Sequence, residues 1–255
     1  MTEKAQDKSI IIGWADNGFT DSLFTSSLSA LLLHLPSMGY SQVGVTQTIG
    51  NQIARQRGDM LREFEKSELD WLLWLDSDIV VTVDTVKKLM DIADAETAPI
   101  VTGVYFISME MNQPMMSPFP CIFTDDGVKN TPIHPMPENQ VIPIDVAGLG
   151  FCLMHKSVAH KLREKYGNTT FEITIGDMHK SEDVSFFRKV KDLGIQVYAH
   201  TGALAWHIKR FVVDINYYNH WWNTVAPLRE AAERAKQETL EQVKAESNFK
   251  HDNNL

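Results

Sequence analysis

An α/β fold with a mostly parallel central sheet is predicted for this 255-residue chain by three observations. Short apolar runs recur along most of its length, the stretches between several of them repeat apolar residues at helical spacing, and runs and stretches alternate. Apolar residues make up 44% of the chain, enough for a real core. In such folds ligands gather beyond the carboxyl ends of the strands.

The elements follow in order. "SIIIGWA" from residue 9 and "QVGVT" from residue 42 read as strands, and Ile53, Met60, Leu61 and Phe64 then share one helical face. "DWLLWL" from residue 70 is the next strand, Val86, Leu89 and Met90 mark another helix, and "PIVTGVYF" from residue 99 returns to a strand. From 107 to 143 prolines, methionines and "TDDG" break every periodicity, so a long irregular lid or binding loop is expected there. Order resumes at "IDVAGLGFCLM", continues through a helix bearing Val184, Phe187 and Val190, and reaches "IQVYA". Between 226 and 243, Leu228, Ala231, Ala232, Ala235, Leu240 and Val243 form an apolar stripe among charges. That pattern predicts a surface helix packed on the domain or on a second subunit, which would make a homo-oligomer through the C-terminal helix. The organisation expected is a flexible tail over 1–8, one domain over 9–225 with halves at 9–106 and 107–225, and a helix with a frayed tail over 226–255.

Charge narrows the function. A formal net charge of −9 gives no strong nucleic-acid signal, because unspecific phosphate binding rests on clustered Lys and Arg. Cys121 and Cys152 show no paired spacing, so neither a disulfide framework nor a cysteine zinc site is suggested. "MTEKAQDKS" lacks the apolar run of a signal peptide, and no segment approaches the roughly 20 apolar residues of a membrane span. A soluble cytoplasmic protein is expected.

The chemistry concentrates in "WLLWLDSDIVV", residues 71 to 81. If 71 to 75 is a strand, its two-residue period sends Asp76 and Asp78 to the same side while Ser77 faces the other way, and carboxylates so close repel unless a cation joins them. Oxygen ligands suit Mg²⁺ or Mn²⁺, and Mg²⁺ is commonly held by one or two carboxylates together with substrate phosphates. The bland alternative is a pair of turn or capping aspartates ahead of Val83.

Three longer stretches go further. "GNQIARQRGDMLREFEKSELDWLLWLDSDI", "GLGFCLMHKSVAHKL" and "SEDVSFFRKVKDLGIQVYAHTGALAWHIK", in that order, resemble the pattern of GT-A fold glycosyltransferases of the family-2-like group, from about residue 9 to about residue 210. The resemblance implies a Rossmann-like αβα sandwich and hexosyl transfer from a nucleoside-diphosphate sugar, a UDP-sugar first among them, to an acceptor hydroxyl on a glycan, a lipid-linked sugar or another molecule. It implies Mn²⁺ or Mg²⁺ on Asp76 and Asp78, with Asp76 also meeting the donor and His207 of "AWHIK" completing the metal site. Glu182 and Asp183 match the acidic pair in which one carboxylate is the general base of inverting members; Asp183 is favoured as base and Glu182 as a substrate-orienting group. Gly148 and Gly150 match the glycine-rich strand lining the sugar and acceptor site, Trp14 and Asp16 the place where base and ribose are held, and Arg55 and Arg57 the arginine near the nucleotide. Gly58 departs from the asparagine that usually follows there. The aromatic run Tyr217 to Trp222 reads either as a sugar-stacking lid or as packing.

Two rivals use the same residues. "WLDSDIV" also reads as the D-x-D of haloacid dehalogenase-like phosphatases, with Asp76 as nucleophile and Thr102 and "TDDG" as later motifs, although those enzymes usually carry it on the first strand. The other rival is a sugar-nucleotide-binding module without turnover.

Overall fold

The computed structural model describes residues 8–107, 118–174, 180–209 and 214–252, without the side chains of Asn216, Leu240 and residues 242–252. Strand and helix alternate as the periodicity predicts. In chain order they are β1 (Lys8–Asp16), α1 (Ser22–His34), β2 (Tyr40–Ile49), α2 (Ile53–Lys66), β3 (Trp71–Asp76), β4 (Ile79–Val80), α3 (Val83–Ile92) and β5 (Ile100–Val104). A series of short strands follows: β6 (Phe106–Ile107), β7 (Phe119–Pro120), β8 (Ile122–Asp125), β9 (Asn130–Pro132), β10 (Val141–Ile144) and β11 (Val146–Ala147). The chain continues through β12 (Phe151–His155), α4 (Lys156–Tyr166), α5 (Glu182–Asp192), β13 (Val197–Leu204) and β14 (Trp206–His207). It ends with α6 (Ile215–His220), a π-helical turn (Trp221–Val225) and α7 (Ala226–Asp252), the C-terminal helical extension.

Seven strands form the central sheet in the order β10-β13-β5-β12-β3-β1-β2. β2, β1, β3, β5 and β13 share one direction, while β12 runs antiparallel between β3 and β5 and β10 antiparallel at one edge. Strand alternation splits the core into two layers. Ile11, Leu72, Trp74, Cys152 and Met154 face a layer supplied by α2, α4 and α5. Ile10, Ile12, Leu73, Leu75 and Leu153 face the opposite layer, supplied by α1 and α3. Both layers being covered is why these strands read as continuous apolar runs. Helix starts follow local chemistry: the Asp21 side chain accepts from the Leu23 amide ahead of α1, and Thr82 and Thr85 form a reciprocal capping box ahead of α3.

The 107–143 stretch differs from the expected irregular loop. Its described part carries β7 to β10, with β11, β8 and β9 forming a separate three-stranded sheet. These strands are two to four residues long, too short to carry a periodicity. Pro132 and Pro143 lie in strands at sheet edges, where a missing amide leaves a ladder intact. Residues 108–117 of that segment lie outside the described residues.

Contacts divide the chain into a larger unit holding every element up to β14 and a smaller one holding α6, the π-helical turn and α7. In the smaller unit Leu228 is exposed, and the Leu240 and Val243 side chains of the expected stripe lie outside the described ones. Its aromatic run packs within itself, Tyr217 stacking on Trp221 and the Arg229 guanidinium lying 5.8 Å from the Trp221 ring. Among the described residues no helix is long and apolar enough to cross a membrane.

Candidate active site at the carboxyl rim of the sheet

β1 and β3 end side by side, with Ala15 opposite Asp76, so Asp16 and Asp76 reach the same rim. β12 runs the other way and brings its preceding loop, Gly148 to Gly150, to that rim, where the Asp76 amide donates to the Gly150 carbonyl at 3.1 Å. The two glycines lie in this tight segment between β11 and β12 rather than within a strand. They permit close approach: a Cβ on Gly150 would lie 2.7 Å from Asp76 Oδ2, and one on Gly148 1.8 Å from the Tyr105 hydroxyl.

Arg57 occupies the centre of the site. It sits on the buried face of α2 with its side chain 5% exposed, and its guanidinium donates to Asp76 Oδ1 at 3.1 Å and to Asp183 Oδ1. Glu182 Oε1 is 3.7 Å from the same Nη1. One buried cation thus joins the carboxylate ending β3 to the acidic pair opening α5, a helix capped by Ser181, whose side chain accepts from the Val184 amide at 3.4 Å. Arg55, two residues earlier, is not brought in: its side chain is 79% exposed and lies 3.9 Å from Asp59.

Asp78 meets other partners, and because the strand ends before it, alternation does not set its direction. β3 stops at Asp76, Ser77 and Asp78 form a turn, and β4 follows. β14 pairs with β4, placing His207 opposite Ile79 and its Nε2 3.2 Å from Asp78 Oδ2, with Lys209 Nζ 3.6 Å from the same oxygen. Burial by itself would raise the Asp78 pKa, but the hydrogen bond and charge of His207 and the charge of Lys209 outweigh it and hold the carboxyl below its ordinary value. Neither aspartate caps α3, a role taken by Thr82.

The donor set fits a divalent cation completed by a ligand. His207 Nδ1 lies 2.9 Å from the Phe106 carbonyl oxygen, which can only accept, so Nδ1 carries the proton and Nε2 is left facing a carboxylate. Asp78 and His207 thereby offer an oxygen and a nitrogen donor that one cation could share. Among the described residues no group of three His, Cys, Asp or Glu side chains is placed to hold a metal. A Mg²⁺- or Mn²⁺-type ion here would therefore depend on oxygens from its substrate, the usual mode for Mg²⁺ beside phosphates.

Asp16 is buried and heavily committed. Its carboxylate accepts from Trp14 Nε1 at 3.0 Å, Gln47 Nε2 at 2.6 Å and the Gly18 amide at 2.7 Å, while its carbonyl accepts from Gln56 Nε2 at 2.7 Å. Trp14 and Asp16 thereby brace the loop after β1. Sequence reasoning missed Tyr105, which is fully buried: its hydroxyl accepts from the Gly150 amide at 3.4 Å and its ring meets His207 edge-on at 5.3 Å. Burial first, then Cys121 and Asp76, push the Tyr105 pKa far above the ordinary value, so the hydroxyl stays neutral and links the glycine segment to the histidine.

The phosphatase motifs have structural work instead. Asp125 of "TDDG" takes a two-pronged hydrogen bond from Arg188 at 2.7 and 2.8 Å, Asp126 accepts from the Val128 and Lys129 amides closing the turn, and Thr102 is buried within β5.

No protein-family model matches the chain, and no curated protein sequence matches it. Among solved structures it is similar to A197 from STIV, with 20% identity and a TM-score of 0.52 over 79% of this chain and 86% of that one. It is also similar to GalNAc-T7, solved with UDP, GalNAc and Mn²⁺, with 13% identity and a TM-score of 0.52 over 84% of this chain and 47% of that one. With the sheet order and the rim just described, these likenesses establish that the chain has the GT-A glycosyltransferase fold.

Proposed function

We propose that this protein is a metal-dependent glycosyltransferase that moves a sugar from a nucleoside-diphosphate sugar, UDP-linked in the first instance, to an acceptor hydroxyl with inversion. The observation that carries the reading is the Arg57 bridge, which joins Asp76 to Asp183 and Glu182. Donor-binding and acceptor-activating carboxylates need to lie that near each other for a single displacement. The likeness to GalNAc-T7, itself solved with UDP and Mn²⁺, supports the donor class and the metal.

Asp78 and His207 would hold the cation, whose chemistry is to neutralise charge developing on the departing diphosphate. Asp76 meets the donor beside Gly150, whose missing side chain lets the backbone lie close against the carboxylate. Asp183 presents Oδ1 to Arg57 and Oδ2 to the acceptor. As the acceptor oxygen bonds to the anomeric carbon and the bond to the diphosphate oxygen breaks, the hydroxyl proton passes to Asp183. Glu182, nearly buried beside Arg57, orients the pair.

Calorimetric titration with UDP tests the donor half: binding is expected with Mn²⁺, and to be strongly weakened by EDTA or in Asp78→Ala. Equal affinity with and without metal would remove the metal from the reading. For the base, Asp183→Asn should keep metal-dependent UDP binding and lose roughly 10² to 10⁴ in transfer rate. The engagement of Asp183 by Arg57 also suits a module that binds without turnover. Metal-dependent UDP binding with no transfer to any glycan, lipid-linked or simple hydroxyl acceptor would decide for that second reading.

A further inference from the structure

The sequence contains no Asp, Glu, Lys or Arg between Asp21 and Arg55, although charged residues make up 22% of the chain. That stretch comprises α1 and β2, and β2 is the outermost strand of the central sheet. Edge strands present unpaired backbone donors and acceptors, and natural proteins guard them with charges, prolines or bulges. β2 has ten residues, YSQVGVTQTI, without a charge or a proline. Its pairing with β1 shifts register once, at Ser41 between Tyr40 and Gln42, and then runs unbroken from Gln42 to Ile49, so the one irregularity lies at the start of the strand.

The exposed face of this strand carries Val43, Val45 and Ile49, with Gln47 among them donating to Asp16. Val43 and Val45 stand opposite Ile10 and Ile12, so they share the sheet face on which α1 packs, but α1 covers β1 and leaves them at the margin. Val45 is 53% exposed and Ile49 67%. Among the described residues nothing pairs with the outer side of β2, and a neutral, largely apolar edge left in water is prone to pairing.

We infer that this edge is where a second copy of the chain binds, its β2 pairing antiparallel with β2 of the first across a two-fold axis to make one continuous sheet. The interaction is independent of the glycosyltransferase reading. Three features select a second copy over a lipid surface. The open backbone groups need hydrogen-bond partners, which a strand supplies and lipid does not. Surfaces that lie on anionic lipid carry Lys and Arg, and this stretch has none. Two copies each bearing −9 meet with least repulsion through an uncharged edge. The strand is also self-complementary: centred on Gly44, an antiparallel pair sets Val43 against Val45 and Gln42 against Thr46, both favourable cross-strand combinations. A strand of ten residues spans ~33 Å, long enough to anchor a two-fold interface.

Sedimentation equilibrium of the full chain is the test. A dimer is expected, with Val45→Lys weakening it about 100-fold or more by setting a charge on the paired edge. Gln47→Lys is a second variant on the same strand, and circular dichroism with a thermal melt confirms that both fold. Amide exchange within Tyr40–Ile49 should slow as protein concentration rises in the wild type and not in Val45→Lys. A wild type that stays monomeric at tens of micromolar, folded Val45→Lys and Gln47→Lys variants that stay dimeric, or a dimer dissolved by Leu228→Glu on α7 would each overturn the inference. So would a monomer that pellets with phosphatidylcholine vesicles, which would assign the edge to lipid.

Discussion

Replacing Arg57 by methionine keeps length and apolar character while removing the one cation shared by Asp76, Glu182 and Asp183. At an effective dielectric near 20, a pair about 3 Å apart gains about 5 kcal/mol of Coulomb energy before desolvation is counted. Desolvating the guanidinium takes several kcal/mol back, so the intact cluster contributes modestly. The variant is different, because it leaves three carboxylates, each less than one third exposed, facing one another without a counter-ion. Breaking a buried pair in this way costs about 3–5 kcal/mol. For a chain of this size that lowers the melting temperature by roughly 6–20 °C. Arg55→Ala is the internal control on the same helix: its side chain is exposed, and the change should stay within about 0.5 kcal/mol. Differential scanning calorimetry of both variants decides. Adding Asp183→Asn to Arg57→Met should recover part of the loss, since one unpaired charge disappears. If Arg57→Met destabilised by less than about 1 kcal/mol, or no more than Arg55→Ala, the buried-clamp argument would be refuted.

Two further outcomes follow from contacts around the rim. Gly148→Ala drives a methyl to 1.8 Å from the Tyr105 hydroxyl and 2.7 Å from Cys121 Sγ, so it should cost about 1–3 kcal/mol in urea unfolding, partly restored by adding Tyr105→Phe. The Arg188 fork, opposed by burial and helped by backbone donation from Gly127, holds the Asp125 carboxyl below its ordinary value. A depressed folded pKa gives stability that is complete above the unfolded value of about 3.9 and is lost as pH falls through the folded one. Asp125→Asn should therefore cost about 1.5–3 kcal/mol at pH 7, with the gap to wild type closing below pH ~4 in denaturant titrations; a gap independent of pH would deny the ion pair its role.

The main sheet was legible because its strands are covered on both faces. "DWLLWL" and "PIVTGVYF" read as strands from their unbroken apolar runs, and β3 and β5 stand there with Leu72, Leu73, Ile100 and Val101 fully buried. β7 to β9 escaped notice since they are two to four residues long and pair outside the main sheet, where neither periodicity nor propensity has enough residues to speak. The alternation argument does not reach Asp78 for a related reason. Alternation holds only while a strand continues, and the chain turns after Asp76.

The site itself left a readable signal in one residue that spacing alone could have singled out. On α2 the buried positions are Gln56, Arg57, Met60, Leu61 and Phe64, with Ile53 partly buried beside them. Those positions step by three and four, the stripe that faces a core. Arg57 therefore interrupts an apolar face, whereas Arg55 stands off it. An always-charged guanidinium is tolerated in such a stripe only when carboxylates meet it there, and the sequence offers acidic residues at the end of the next strand and at the start of α5. What the sequence could not supply was that these acids, Asp76 and Asp183, which are far apart along the chain, reach the same guanidinium. That depends on β3 and the start of α5 both reaching the rim above α2, a consequence of sheet order rather than of local pattern. The same logic bears on the base role proposed for Asp183: with one carboxylate oxygen engaged by Arg57, its other oxygen is the less encumbered proton acceptor.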